Sequence, residues 1–171
     1  MRSRTASIDN PLAFLVIGLA AVIAAFAEEP TNKDIAFITT ATQGGMAEIE
    51  LSKLAIDSGN SPQVRSFAEQ MIADHGRNNL ELAEIATRDK ILLPSDLDPA
   101  HAALGKDLAN LHGVDFDRRY IQAMQKDHQQ MAEFLKTSET SVSDNRLTAF
   151  IKAALPVVEA HARMADQLKT E

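Results

Sequence analysis

The chain has 171 residues, 24 acidic and 17 basic side chains, and a formal net charge of −7. That length suits one ordinary domain with a real core, and the acidic balance excludes nucleic acid as an expected partner because its phosphates would be repelled. The absence of cysteine excludes disulfides, thiolate metal sites and cysteine nucleophiles, while few Gly, Pro and aromatic residues amid abundant Ala and Leu favour helices over sheets.

Arg2 and Arg4 precede an apolar stretch from Pro11 to Phe26, which ends in Ala25-Phe26-Ala27 before Glu28-Glu29. A basic region, an apolar region and a small-x-small site in that order read as a signal peptide over residues 1–27, cut after Ala27. The apolar run is short for a membrane span, which needs ~20 residues. The expectation is therefore an exported protein, periplasmic in a bacterium, with residues 28–171 as a single domain and no membrane span after signal removal.

A helical pattern runs from about Lys33 to Asp57, with Ile35, Ile38, Thr42, Gly45, Ile49, Ser52 and Ile56 on one stripe. Gly44-Gly45 is a soft spot, permitting a close crossing or a local break. Ser61-Pro62 is a strong start signal for a second helix to about Lys90. Its stripe is Val64, Phe67, Met71, His75, Asn78, Leu82 and Ile85. Residues 91–99 are rich in breakers, and a short helix is expected from Pro99 to Leu111. Asp115 is the expected cap of a third long helix, about Phe116 to Glu139, with Ile121, Met124, His128, Met131 and Leu135 in line. Ser143-Asp144 caps a fourth, about Asn145 to Lys169, carrying Leu147, Ile151, Ala154, Val158, His161, Ala165 and Leu168, with a kink expected at Pro156. Four long helices, two short links and a longer middle link point to an all-α, ferritin-like four-helix bundle whose crossover segment contains a short helix. A plain up-down bundle is the alternative.

The polar residues inside those stripes carry the functional reading. Met71-Ile72-Ala73-Asp74-His75 and Met124-Gln125-Lys126-Asp127-His128 share the phrase Met-x-x-Asp-His, and His161 lies in the last helix. Glu48 lies near the apolar stripe of the first helix. At ~1.5 Å of rise per residue, Glu48 and His75 fall within about one turn of the same height, and His128 and His161 within about two. The spacing permits Glu48, His75, His128 and His161 to meet as a metal site. Three imidazoles and a carboxylate favour zinc or iron. Asp74 and Asp127 are candidate further ligands, or groups that orient a histidine on another helix, since adjacent positions on one helix point about 100° apart. Met71, Met124 and Met164 each lie one turn from a histidine, and soft sulfur beside imidazole makes copper the runner-up; the competing reading is that methionine fills gaps in the core. His101 and His112 read as surface residues.

Several phrases together resemble a known family: Gly45-Met46-Ala47-Glu48 with Leu51 and Leu54, then Val64, Phe67-Ala68, Met71, Asp74-His75, Leu93-Pro94, Phe116-Asp117, Tyr120, Met124, Asp127-His128, Phe150, Leu155-Pro156 and His161. From about Lys33 to Lys169 the chain resembles a bacterial family of exported ferritin-like proteins of unknown function, often labelled putative outer-membrane protein. The resemblance implies a four-helix bundle and no established reaction. The label itself fits poorly, because the alternating strands of a barrel are absent from the sequence.

No Glu-x-x-His occurs, which argues against a di-iron carboxylate centre. Neither a nucleophile elbow nor a phosphate-binding glycine loop is present. The leading expectation is thus a periplasmic metal-binding bundle. A metal-free structural or stress-related bundle, with the same residues in a buried hydrogen-bond network, is the alternative. A metal-dependent hydrolase is a third reading, since a three-histidine site with an open position can activate water. The sequence names no protein partner and leaves a homo-oligomer open.

Overall fold

A computed structural model describes residues 29–168; the expected signal peptide lies outside the described residues. The chain forms α1 (Asn32–Ser58), α2 (Pro62–Arg88), α3 (Pro99–Leu108), α4 (Gly113–Ser138) and α5 (Asn145–Gln167), and none of these helices is long and apolar enough to cross a membrane. Their starts follow from local chemistry. Thr31 and Asp34 form a reciprocal capping box at α1. Ser61 caps α2 ahead of Pro62, Asp98 caps α3 ahead of Pro99, and Asp144 caps α5. Helix α4 departs from expectation. It begins at Gly113, whose φ of 61° lets the chain turn without side-chain strain. His112 is its N-cap and makes no side-chain cap bond. Asp115 lies inside the first turn and pairs with Arg118.

Two polar pins establish how the halves connect. Asp117, near the start of α4, accepts hydrogen bonds from the backbone N–H groups of Asn60 and Ser61, between α1 and α2, at 2.9 and 2.8 Å. At the other end, Asp34 accepts from Ser143 N–H at 2.8 Å and from its hydroxyl at 2.6 Å. Helices α2 and α4 therefore start at one end, and α1 and α5 at the other. The segment between α2 and α4 must return along the bundle, so the connection is a crossover, and α3 lies within it against α1 and α4. Helices α1 and α2 pack as one antiparallel hairpin, α4 and α5 as another, with α1 on α4 and α2 on α5 closing the square.

The core is in two apolar clusters along the bundle axis. One contains Phe37, Ile38, Leu82, Ile85, Leu135, Leu147, Ile151 and Val158. The other contains Leu51, Phe67, Met71, Phe116, Tyr120, Met124 and Ala165. Between them lie buried polar residues from all four long helices: Thr42 and Glu48, His75, His128 and His161. On α2 and α4 each histidine stands four residues after a methionine of the second cluster and seven before a leucine of the first. The interruption in each stripe thus falls at one level, where the core changes character.

The predicted face of α1 is slightly rotated and its ends differ. Ile35 and Ile56 are exposed, whereas Asp34, Phe37, Ala41, Glu48, Leu51 and Ala55 are buried. Asp34 replaces Ile35 inside because its carboxylate is fully occupied by the cap and by Ser143. Gly44-Gly45 does not break the helix. Gly44 leaves room for the end of Met131, whose Cε would lie 2.7 Å from an added Cβ, and Gly45 leaves room for the Asn79 amide. Helix α5 continues through Pro156.

Candidate metal centre

His75, His128 and His161 converge at the level between the clusters. Their ring centroids lie 5.3 to 5.5 Å apart, and one nitrogen from each falls within 4.8 Å of the other two. Among the described residues, no other set of three or more His, Asp or Glu groups closes so tightly. All three are buried, at 6%, 1% and 1% exposure.

Their hydrogen bonds decide which nitrogen faces the centre. His128 Nδ1 lies 2.8 Å from the carbonyl of Met124, one turn earlier. A carbonyl only accepts, so Nδ1 carries the proton and Nε2 presents a lone pair. His161 Nε2 lies 2.8 Å from Asp74 Oδ2 and donates to it. That leaves Nδ1, which is buried and without a hydrogen-bond partner. His75 Nε2 faces His128 Nε2 at 3.4 Å. Two ligands at ~2.0–2.1 Å from a tetrahedral ion would stand about 3.3–3.4 Å apart. The observed pair already has that spacing, and the third nitrogen, within 4.8 Å of both, would have to move inward to reach it.

Electrostatics keep these rings neutral. Burial, followed by the neighbouring imidazoles His128 and His161, lowers the His75 pKa to about 3. Burial lowers His128 to about 4, against the Met124 carbonyl, which favours the proton. Burial also lowers His161, opposed by Asp74. For Asp74, burial opposes ionisation, but the hydrogen bond and charge of His161 and the Arg77 guanidinium outweigh it and lower its pKa. The result is three neutral nitrogen donors, one of them backed by a carboxylate, which is the arrangement that tunes metal-bound histidine.

The other predicted residues fall around this trio. Glu48 Oε1 is 3.9 Å from His128 Nδ1, the nitrogen that points away from the centre. Its Oε2 is buried without a partner. Burial, reinforced by Asp127 and opposed by His101, pushes the Glu48 carboxyl up to about 8. Asp127 turns from the trio to His101, with 3.6 Å between its Oδ2 and His101 Nε2. His101 is therefore not a free surface residue. It is half-buried, its Nδ1 bonded to Asp98, and the facing Asp127 and bonded Asp98 raise its pKa to about 9 against the effect of burial. The signal for this lay in Asp98-Pro99-Ala100-His101, a cap and a histidine one turn apart on the same face. His112 is exposed. Met71 and Met124 are fully buried in the second apolar cluster, and Met164 packs against it.

Glu48, His75 and His128 also line a cleft of about 310 Å³, together with Asp98, His101, Asp127, Met131 and Phe134. Two of the three imidazoles, His75 and His128, thus border this opening.

Residues 20–168 match the family described as Domain of unknown function (DUF4142). The chain belongs to that family. No functionally curated protein matches this DUF4142 chain, but several solved structures do. A DUF305 fragment from Deinococcus radiodurans matches with a TM-score of 0.73 and 14% identity, covering 81% of this chain and 96% of that one. CopM in its Cu(II)-bound form matches at 0.68 and 19%, covering 78% and 93%. The same protein in its Cu(I)-bound form matches at 0.65 and 18%, covering 77% and 91%. At these identities the likeness is one of fold, a shared helical bundle.

Proposed function

We propose that the protein is an exported metal-binding bundle, with residues 1–27 as its export signal and 28–171 as a single domain. His75, His128 and His161 hold one transition-metal ion. The observation that carries this reading is the buried, unpartnered Nδ1 of His161, facing two imidazoles already at ligand spacing. A buried polar atom without a partner costs about 1–3 kcal/mol, and an ion shared by three lone pairs removes that cost. Neutral imidazoles suit zinc, copper, iron and nickel. Copper moves to the front because a bundle of the same fold is known in Cu(I)- and Cu(II)-bound forms; zinc is the control. The ion would be held by nitrogen alone, with Glu48 and Asp127 beyond direct reach and the cleft giving access. The role is binding and buffering of the ion rather than a defined reaction.

Native mass spectrometry of tag-free protein tests this. The expected result is one ion per chain after loading with Cu(I) or Zn(II), lost in His75→Ala, His128→Ala and His161→Ala. If the loaded wild type carries no ion and those variants only melt earlier, the metal-free reading stands instead. Its support is that His75, His128 and the Met124 carbonyl already form one hydrogen-bonded chain, and His161 and Asp74 a separate pair beside it.

A further inference from the structure

We infer that the cleft beside the trio binds a small organic cation, an amine or guanidine on a short apolar body, through Glu48 and Asp127. The Glu48 side chain is 8% exposed, lines the cleft, and has one oxygen with no hydrogen-bond partner. Asp127, on helix α4, lines the same cleft; its Oδ2 stands 3.6 Å from His101 Nε2, a charge contact beyond hydrogen-bond length, and is buried without a hydrogen bond. Two acceptors from opposite walls therefore look for donors in one space.

The charge balance selects the ligand's sign. Three carboxyl groups, Glu48, Asp98 and Asp127, meet a single basic group, His101, which is already held by both aspartates. An anion would find no uncommitted cation there, whereas an ammonium finds two oxygens to donate to. Spacing argues against a bare metal ion: Glu48, His101 and Asp127 do not bring their donor atoms within the 4.8 Å that the imidazoles reach. An N–H-bearing group on a carbon frame can reach acceptors set further apart. Met131 and Phe134 supply apolar and aromatic wall for that frame, and an aromatic face also attracts a cation. Gly44, where a Cβ would meet Met131, keeps that wall in place. The volume, about 310 Å³, stands at the small end of the ~300–1,000 Å³ found for small-molecule sites.

This site is independent of the metal reading, and the test keeps the two apart. Metal-free protein, dialysed against chelator, is titrated calorimetrically with benzylammonium, n-butylammonium and n-butylguanidinium, and with benzyl alcohol and benzoate as neutral and anionic counterparts. The expected result is saturable one-to-one binding of at least one cation. Benzyl alcohol and benzoate should bind about tenfold to a hundredfold more weakly than benzylammonium, the range for a charge-assisted hydrogen bond. Glu48→Leu, which removes the acceptor oxygens, and Asp127→Asn, which removes the charge, should each weaken the cation about tenfold or more, checked by circular dichroism for an intact fold. His161→Ala, which removes a trio member that does not line the cleft, should leave cation binding unchanged while abolishing metal loading. Equal affinity for benzylammonium and benzyl alcohol would overturn the inference, as would no saturable binding of any of the three cations, or unchanged cation binding in both carboxyl variants.

Discussion

Replacing Asp74 tests the link between helix packing and metal affinity. Its Oδ2 accepts the Nε2–H of His161 at 2.8 Å across the α2–α5 contact, which leaves His161 Nδ1 turned to the centre. Removing such a supporting carboxylate typically weakens metal binding 10–100-fold, equivalent to ~1.4–2.7 kcal/mol. Asp74→Asn retains an amide oxygen that can accept the same bond but lacks the charge, so it should fall at the low end. Asp74→Ala leaves a buried N–H unpaired and frees the ring to turn. It should fall at the high end and also destabilise the fold by about 1–3 kcal/mol. Competition with a chromophoric chelator, for Cu(I) and for Zn(II), reads the affinity, and thermal melting of the metal-free form reads the stability. An Asp74→Ala variant that binds either ion as tightly as wild type would refute the orienting role. Equal effects of Asn and Ala would locate the contribution in the charge rather than in the hydrogen bond.

The pH dependence of stability in the metal-free protein should peak near pH 6.5. His75 and His128 have pKa values lowered from 6.5 to about 3 and about 4, so the unfolded chain binds more protons below pH 6.5, and stability is lost as pH falls toward 4. Glu48 is raised from 4.5 to about 8 and His101 from 6.5 to about 9. The folded chain holds those protons where the unfolded chain has lost them, so once the two histidines no longer offset this, stability declines from about pH 6.5 to pH 9. Chemical denaturation across pH should show that peak, and Glu48→Gln should flatten the decline between pH 6.5 and 8; a monotonic rise to pH 9 contradicts both assignments. Asp34→Ala removes the carboxylate half of the α1 capping box, which accepts from Thr31, together with the bonds to Ser143, and should cost about 2–4 kcal/mol in denaturant melts, whereas a change within experimental error would show that the pin is dispensable. Finally, N-terminal sequencing of protein secreted by a bacterial host should begin at Glu28, and retention of Met1 would contradict cleavage after Ala27.

Much of the helical framework was legible in the chain because its signals are local. Ser61-Pro62, Asp98-Pro99 and Asp144 cap the helices they precede in sequence, since a cap bonds to backbone two or three residues away. The stripes of α2, α4 and α5 predicted their buried faces for the same reason. The stripe also located His75, His128 and His161 inside, because a polar residue at core spacing must be buried with its neighbours. Relations between helices were less readable: the longer middle link pointed to a crossover but left a plain up-down bundle open. The crossover rests on Asp117 reaching Asn60 and Ser61, and on Asp34 reaching Ser143, contacts between residues more than fifty apart. Which nitrogen of His161 faces the centre depends on Asp74 from a different helix, and the turn of Asp127 toward His101 depends on where the short helix of the crossover comes to rest. Periodicity along one helix gives the angle of a side chain about that helix's own axis. The depth and rotation at which two helices meet are set by the packing of both, so the imidazole trio and the carboxyl-lined cleft beside it became distinct only in the tertiary structure.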